Sequence, residues 1–192
     1  MNAYDFDKTL YPCDSTFRFY RFLLRRHPSL LLELPRQIKA ALAYRFKRIE
    51  KTQMKEKLFA AFRRIDDIDR EVKLFWDKHE GEIEPYYEAI KRPDDVIISA
   101  SPTFLLEEIS KRVGFGTLIA SRVDKKSGAY TGENCYGEEK CRRFYEVFPE
   151  GEIECFYSDS LSDTPMARLA KQAYLIKDHQ PTPWPFPEKS EK

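Results

Sequence analysis

The hydrophobic and polar positions divide the chain into two kinds of segment. Across residues 15–90, aromatic residues and leucines recur at three- and four-residue spacing with charges between them, which predicts amphipathic helices. Glycine is nearly absent there, and Pro28 and Pro35 end or divide the helical patterns. We therefore predict an all-helical module of four or five helices, with a last helix running from about Asp69 to Glu80.

After Pro93, short apolar runs alternate with helical patterns, and uninterrupted apolar runs of this length are typical of buried strands in a parallel sheet. The predicted strands are Val96–Ile98, Thr117–Ala120, Ile153–Tyr157 and Ala173–Ile176. We also expect a hairpin between Val123 and Thr131, and an extended, partly disordered tail from Gln180 to Lys192. The predicted fold class is α/β, a Rossmann-like parallel sheet flanked by helices, with the helical module inserted after the first strand.

The first strand should lie at the very start of the chain, and it ends in a cluster of polar residues. Asp5 and Asp7 stand two residues apart, and Thr9 follows two further on. Crowding two carboxylates is unfavourable unless a cation or a proton lies beside them. Taken alone, the motif is more typical of a surface turn.

Three polar groups fall where a predicted strand is followed by a helix: the Asp5/Asp7 pair, Ser99, and the Asp159/Asp163 pair. In an open α/β sheet, ligands bind outside the carboxyl ends of the strands. Helix N-termini at this edge also present free N–H groups and a positive dipole end, which suit a phosphate group. The pattern therefore indicates a single anion-binding site that draws on distant parts of the chain.

Composition excludes several classes of protein. The chain has 192 residues, 42% of them hydrophobic, and a net charge of +1, so no polyelectrolyte partner is indicated for the whole molecule. Four scattered cysteines, without a C-x-x-C pair, favour reduced thiols over disulfides or zinc. The start of the chain has no secretory signal pattern, and no apolar run is long enough to cross a membrane. We expect a cytoplasmic protein.

The first half of the helical module is strongly basic. Only Glu33 and Glu50 oppose the basic residues Arg18, Arg21, Arg25, Arg26, Arg36, Lys39, Arg45, Lys47, Arg48 and Lys51. A solvated helix face would explain this charge. An alternative is a surface that attracts an anionic substrate or makes peripheral contact with an anionic membrane. Nucleic acid is not expected, because no recognised binding motif accompanies the charge.

These motifs together resemble the haloacid dehalogenase superfamily of aspartate-nucleophile phosphatases. The family's four signatures match, in order, the D-x-D-x-T run from Asp5 to Thr9, Ser99 after an apolar strand, Lys140 with Glu139 beside it, and the pair Asp159 and Asp163. The helical insertion lies where the family carries a C1-type cap. The resemblance implies an α/β core of residues 1–14 and 91–192 and a cap of residues 15–90.

Within the superfamily, residues 99–102, 134–140 and 157–160 look like subfamily IB, the phosphoserine-phosphatase-like branch. Residues 19–28 are also similar to the start of the cap in the bacterial phosphatidylglycerophosphate phosphatases of that branch. The cap is less apolar here than in those enzymes. Ser99-Ala100-Ser101 also departs from the Ser-Gly-Gly that phosphoserine phosphatases usually carry.

The resemblance implies a role for each matched residue. Asp5 would attack phosphorus and become an aspartyl phosphate, and Asp7 would act as general acid and base. Mg²⁺ would be held by Asp5, the backbone carbonyl of Asp7, and Asp159. Ser99 and Lys140 would bind the phosphoryl oxygens, with Asp163 and Thr9 in supporting positions.

We therefore predict a Mg²⁺-dependent phosphomonoester hydrolase. Its substrate is unassigned, either a small phosphorylated metabolite or a lipid phosphate such as phosphatidylglycerophosphate. The alternative is a non-catalytic or regulatory protein on the same fold that binds an anion or a membrane. Phosphoryl transfer to an acceptor other than water would use the same residues, and both a monomer and a homodimer stay open.

Overall fold

The computed structural model describes residues 1–186. Its centre is a six-stranded sheet in the order β3-β2-β1-β4-β5-β6, parallel from β1 to β5 and antiparallel only at β6. The strands are β1 (Ala3–Tyr4), β2 (Val96–Pro102), β3 (Thr117–Ser121), β4 (Ile153–Ser158), β5 (Ala170–Lys177) and β6 (Gln180–Pro183). The predicted α/β fold class is confirmed.

The shortest strand, β1, lies at the centre of the sheet. Ala3 pairs with Val96 on one side and with Phe156 on the other, and all three side chains are fully buried. Burial on both faces explains why these strands read as uninterrupted apolar runs. Because β1 ends at Tyr4, the residues that follow it leave the middle of the sheet at its carboxyl edge.

The end of the chain differs from the prediction of an extended, partly disordered tail. Asp178 and His179 adopt left-handed backbone angles, with φ of 47° and 63°, and turn the chain back on itself. Residues Gln180–Pro183 then pair with β5 as an edge strand, a position that tolerates proline. Trp184 is buried against the sheet. The rest of the predicted tail, residues 187–192, lies outside the described residues.

The insertion between β1 and β2 is all-helical, as predicted. The helix predicted near Asp69–Glu80 is not the last one, however, because Pro85 occupies the first position of a further short helix. The helices of the insertion are α1 (Ser15–Arg26), α2 (Leu34–Arg45), α3 (Lys51–Phe59), α4 (Ile68–His79) and α5 (Pro85–Ile90), joined in part by short 3₁₀ turns. Asp14 caps α1 by accepting a hydrogen bond from the Phe17 N–H at 2.8 Å. The remaining helices are α6 (Thr103–Val113), α7 (Glu138–Val147) and α8 (Thr164–Ala167).

One hydrophobic cluster joins helices of the insertion to the sheet. Trp76 on α4 is fully buried against Phe6, which follows β1, with ring centroids 6.0 Å apart. The Trp76 indole N–H also donates to the backbone carbonyl of Leu105 on α6 at 2.7 Å, so its polar atom is satisfied. These contacts fix α4 against the sheet. The division into a core of residues 1–14 and 91–192 and a cap of residues 15–90 stays a prediction.

The predicted hairpin touches the insertion from the other side. Backbone hydrogen bonds join Asp124 to Ala129 and Thr131 to Arg122, which confirms a tight turn within residues 123–131. At its tip, Gly128 has a φ of 75°, and a Cβ there would come within 2.3 Å of the Phe59 backbone. Glycine is therefore required where the hairpin packs against the end of α3.

Helix α2 is the exception to this packing. Only Gln37 and Ala40 are buried in it, and Ile38 and Leu42 are at least half exposed. The same is true of Phe46, directly after the helix, which is 67% exposed. Within residues 1–186, no helix is both long enough and apolar enough to cross a membrane.

Candidate active site

The strand ends meet in a pocket of about 220 Å³ at the carboxyl edge of the sheet. Every predicted site residue except Thr9 lines it. The predicted residues on the pocket wall are Asp5, Asp7, Ser99, Lys140, Asp159 and Asp163. The topology places them together because β1, β2 and β4 are neighbours in the sheet and all run in the same direction.

Asp5 is the first residue after β1. Its N–H donates to the Tyr157 carbonyl of β4 at 2.8 Å, which extends the parallel pairing by one residue. The side chain is only 11% exposed, and its Oδ1 accepts a hydrogen bond from Lys140 Nζ at 2.7 Å. Burial raises the pKa of Asp5 to about 7, although the charge of Lys140 opposes that shift.

Lys140, in the first turn of α7, lies between two buried carboxylates. Its Nζ donates to Asp5 Oδ1 at 2.7 Å and to Asp163 Oδ2 at 2.6 Å. Burial works to lower the pKa of Lys140, but the charges of the two carboxylates outweigh it and raise that pKa. Ser158 also donates to Asp163 Oδ2, at 2.7 Å. The lysine therefore stays protonated and joins the loop after β1 to the turn after β4.

The helix that carries Lys140 is itself anchored by buried ionic contacts. Glu139 accepts a hydrogen bond from Arg143 Nε at 2.8 Å. The same guanidinium group donates to the backbone carbonyls of Ala120 at 2.8 Å and Glu133 at 2.6 Å. Sequence reasoning missed Arg143, whose signal was a buried-face position one turn after Glu139. This contact network fixes the position of Lys140.

Asp7 makes different contacts from Asp5, because β1 has ended and the chain is already turning toward α1. Its Oδ1 accepts from the Ser15 N–H at 2.9 Å, and its Oδ2 accepts from Ser101 Oγ at 2.6 Å. Burial, followed by repulsion from Asp14, raises the pKa of Asp7 to about 6, while the Ser101 hydrogen bond opposes the shift. Asp7 thus connects the end of β1 to the first residue of the helical insertion.

Ser99 and Ser101 lie on β2 and are both buried. Ser99 Oγ lines the pocket and accepts from the Ser101 N–H at 3.1 Å. Ser101 was not predicted as a site residue. Its signal was its position two residues beyond Ser99, which places its side chain on the same face of a strand.

The turn after β4 places Asp159 opposite Thr9. The Asp159 N–H donates to Thr9 Oγ1 at 3.0 Å, so the threonine holds this turn from beneath the pocket. The carboxylate of Asp159 is half-buried, and burial raises its pKa against the opposing charge of Lys8. Lys8 itself has a φ of 58°, a left-handed conformation that turns the chain sharply after Asp7.

Two lysines from the insertion complete the pocket wall, and sequence reasoning assigned neither to the site. Lys55 Nζ on α3 donates to the Ala100 carbonyl at 3.3 Å, and Lys51 lies one turn before it. Burial, followed by the nearby charge of Lys51, lowers the pKa of Lys55. The basic composition of the insertion was the only signal, and it could not say which cations face the site.

The carboxylate oxygens of the pocket are ligands of the kind that hard divalent cations prefer. Asp5 Oδ2 has no hydrogen-bond partner within residues 1–186, and Asp163 Oδ1 is buried without one. Among these residues, no three His, Cys, Asp or Glu side chains are grouped closely enough to hold a metal alone. A site built from two carboxylates, a backbone carbonyl and water oxygens is compatible with both observations.

A model of the haloacid dehalogenase-like hydrolase family matches residues 3–168. The chain belongs to the haloacid dehalogenase-like hydrolase family. The matched range includes all the predicted site residues from Asp5 to Asp163. The family membership predicted from the four motifs is therefore confirmed.

Individual relatives extend the comparison. Protein CicA of Caulobacter vibrioides is 26% identical over 193 residues, which covers 88% of this chain and 82% of CicA. A probable phosphatase of Mycobacterium tuberculosis is 36% identical over 90 residues, which covers 43% of this chain and 31% of that protein. Among solved structures, a phosphoserine phosphohydrolase-like protein from Francisella tularensis superposes with a TM-score of 0.60 at 14% identity, covering 93% of this chain and 88% of its own. That likeness concerns the fold.

Proposed function

We propose that this protein is a Mg²⁺-dependent phosphomonoester hydrolase that acts through an aspartyl phosphate on Asp5. Membership of the hydrolase family and the partial similarity to a probable phosphatase support a phosphatase. The single observation that carries the proposal is the buried contact of Lys140 with both Asp5 and Asp163, at 2.7 and 2.6 Å. This contact places a fixed positive charge beside an accessible carboxylate oxygen, as attack on a phosphate requires.

In the first step, an Asp5 oxygen forms a bond to phosphorus while the bond from phosphorus to the leaving oxygen breaks. Asp7 in its protonated form gives its proton to that leaving oxygen. Burial raises the pKa of Asp7 to about 6, which is close enough to neutral pH for both forms to be accessible. Lys140 and Ser99 stabilise the charge that develops on the phosphoryl oxygens.

In the second step, water attacks the phosphorus of the aspartyl phosphate. Asp7 takes the proton of that water, and the bond between phosphorus and Asp5 breaks. Inorganic phosphate leaves, and both carboxyl groups return to their starting protonation. Splitting the transfer into two displacements lowers each barrier.

The charge of the pocket wall also favours the binding of a cation, because the wall carries five carboxylates and four lysines. A phosphate group would add further negative charge. Asp5, the backbone carbonyl of Asp7, and Asp159 would hold Mg²⁺, with Asp163 in support. The bound ion would neutralise the repulsion between the carboxylate nucleophile and the phosphate.

The experiment is hydrolysis of p-nitrophenyl phosphate by the purified protein. We expect phosphate release that needs Mg²⁺, stops with EDTA and returns when Mg²⁺ is added in excess. Equal turnover with and without the ion, or turnover that persists in Asp5→Asn, would overturn the proposal. Product analysis in the presence of an alcohol separates hydrolysis from transfer to another acceptor.

The non-catalytic alternative is not favoured. It would leave no reason for the full set of acids and the lysine to meet in one pocket with Asp5 and Lys140 buried. Buried ionised groups lower stability unless each is paired, so a protein without chemistry at this site gains nothing from them.

A further inference from the structure

The catalytic pocket is small for a ligand site. Its volume of about 220 Å³ is below the roughly 300–1,000 Å³ of ordinary ligand sites. A substrate with a large group attached to its phosphate would therefore extend into the space next to it. A groove of about 610 Å³, formed by α1, α2 and α3, provides that space.

The two cavities are adjacent. Asp14, Lys51 and Lys55 line both of them, so the charged end of the groove lies beside the pocket that holds Asp5 and Asp7. A phosphate in the pocket would have the ammonium groups of two lysines at this junction. Whatever is attached to that phosphate would extend away from the sheet, between the helices of the insertion.

Away from the junction, the wall of the groove is apolar. Side chains from all three helices contribute, including those of Leu24, Leu34, Ile38, Ala41, Met54 and Leu58. Such a surface binds hydrocarbon in preference to a sugar or an amino acid, because the favourable free energy of binding comes from removing apolar surface from water.

Three polar side chains of the wall are already hydrogen-bonded within the protein, whereas the exposed Arg21 also lines the groove. The Tyr20 hydroxyl donates to Gln37 Oε1 at 2.6 Å, and Gln37 Nε2 donates to the Leu58 carbonyl at 3.3 Å. Thr16 Oγ1 shares a hydrogen bond with Ser101 Oγ at 2.9 Å. A polar ligand would have to break these bonds to gain new ones, whereas an apolar chain leaves them intact.

We propose that the groove binds the hydrocarbon chain of an amphiphilic phosphomonoester whose phosphate occupies the catalytic pocket. This inference rests on the proposed phosphatase activity and assigns it a substrate class: a phosphate joined to an alkyl or acyl chain. The hydrocarbon chain lies between α1, α2 and α3. Lys51 and Lys55 lie where the phosphate of the substrate meets its hydrocarbon chain.

The outer face of α2 favours an anionic bilayer as the source of such a substrate. Leu42 is 50% exposed and Phe46 just beyond the helix is 67% exposed, while Ile38, at the edge of the groove, is 57% exposed. No acidic residue occurs between Leu34 and Ile49, whereas Arg36, Lys39, Arg45, Lys47 and Arg48 all do. Exposed apolar side chains among cations are suited to the boundary of an anionic membrane.

The test is a series of n-alkyl phosphates from ethyl to octyl, each used below the concentration at which it aggregates. We expect kcat/KM to rise about two- to fourfold per methylene group, the gain expected for burying hydrocarbon in a partly open groove. A flat series, with all members hydrolysed equally, would overturn the inference. Absence of any hydrolysis would instead overturn the proposed phosphatase activity, so the two failures are distinguishable.

A matched pair of variants tests whether the hydrocarbon chain of the substrate binds in the groove. Ala41→Phe fills the groove from α2, and Ala43→Phe adds the same ring to the same helix outside the groove. We expect the octyl-to-ethyl ratio of kcat/KM to fall at least tenfold in Ala41→Phe and to stay within about twofold of wild type in Ala43→Phe. Because each ratio is internal to one variant, partial misfolding cancels. Equal ratios in the two variants would overturn the assignment of the groove.

A second arm identifies the source of the substrate. The protein is sedimented with vesicles of phosphatidylcholine containing 30 mol% phosphatidylglycerol at low and at high salt. Binding that becomes weaker at high salt would identify an anionic bilayer as the source of the substrate. Absence of binding at low salt identifies a freely diffusing amphiphile as the source and overturns the role given to α2.

Discussion

The pocket at the sheet edge and the outer face of α2 place charge and hydrocarbon in opposite ways. In the pocket, Asp5, Lys140 and Asp163 are nearly or fully buried, and each has an ionic partner at hydrogen-bonding distance. On α2, the apolar side chain of Leu42 is half exposed, and no acidic residue occurs within the helix. Both arrangements depart from what folding alone favours.

Both regions give up stability, but in different ways. Burying three ionised groups costs free energy that their mutual pairing only partly returns. Leaving hydrocarbon on α2 forgoes the gain that burial would have provided. The pocket should therefore be sensitive to any loss of pairing, whereas α2 should tolerate changes to its exposed residues without unfolding. This contrast can be tested from both sides.

The largest expected effect is that of Asp5→Asn on turnover. Asparagine keeps an oxygen to accept from Lys140 but cannot form an acyl phosphate that is hydrolysed in the same way. We expect kcat to fall by about 10⁴-fold or more, as when a catalytic nucleophile is removed from other enzymes. The measurement is phosphate release, with the thermal unfolding temperature as a control for folding. Retained activity in a folded variant would disprove the role of Asp5.

Next in size is the effect of Lys140→Met on stability. Methionine has a similar length but removes the charge between Asp5 and Asp163, which leaves two buried carboxylates facing each other. Breaking a buried pair in this way costs about 3–5 kcal/mol in free energy of unfolding, measurable by urea denaturation.

The control for that variant is Lys171→Met, which removes an exposed ion pair with Glu152 of similar N–O distance, 2.7 Å. Both of its side chains are more than half exposed, so solvent screens the attraction and we expect no measurable change. Similar losses in the two variants would show that burial is not what makes the pocket sensitive.

A pH-dependent effect is expected at the base of α7. Hydrogen bonds from Arg142, and from Arg143 against the opposing effect of burial, lower the pKa of Glu139 to about 2. Because the pKa is depressed by folding, the stabilisation is present above the unfolded value near 4.5 and is lost as pH falls toward 2.

Between pH 5 and pH 3, the wild-type protein should therefore lose about 1–2 kcal/mol more free energy of unfolding than Glu139→Gln. The measurement is urea denaturation of both proteins at each pH. Equal losses in the two proteins would indicate that the charge of Glu139 does not contribute to the free energy of unfolding. Glu139 would then not position Lys140 through an ionic contact.

Much of this site could be predicted from sequence, because a residue that ends a strand is fixed by the sheet. Ser99 and Asp159 each follow a recognisable apolar run, Asp5 opens the D-x-D-x-T motif, and parallel topology brings these strand ends to one edge. The residues that were missed reach the site by other routes. Lys55 comes from α3, and its direction depends on how the insertion packs, which no local pattern records.

The last strand was missed for a related reason. Gln180–Pro183 contains two prolines and no apolar alternation, so its composition is typical of a tail. It forms β6 because a left-handed turn at Asp178 and His179 returns the chain to the open edge of β5. Non-glycine residues in such a turn carry only a weak sequence signal.

The smallest effect on the free energy of unfolding is expected for the removal of an exposed aromatic ring, compared with a buried one. Phe46→Ala and Phe59→Ala remove the same ring, one 67% exposed after α2 and the other fully buried at the end of α3. Phe59→Ala should cost about 3–5 kcal/mol, because it leaves a cavity beside Phe62 and Tyr130. Phe46→Ala should change the free energy of unfolding by no more than about 0.5 kcal/mol. Urea denaturation of both variants makes the measurement. A large loss in Phe46→Ala would show that this ring serves the fold, and its exposure would then no longer support a lipid-facing role for α2.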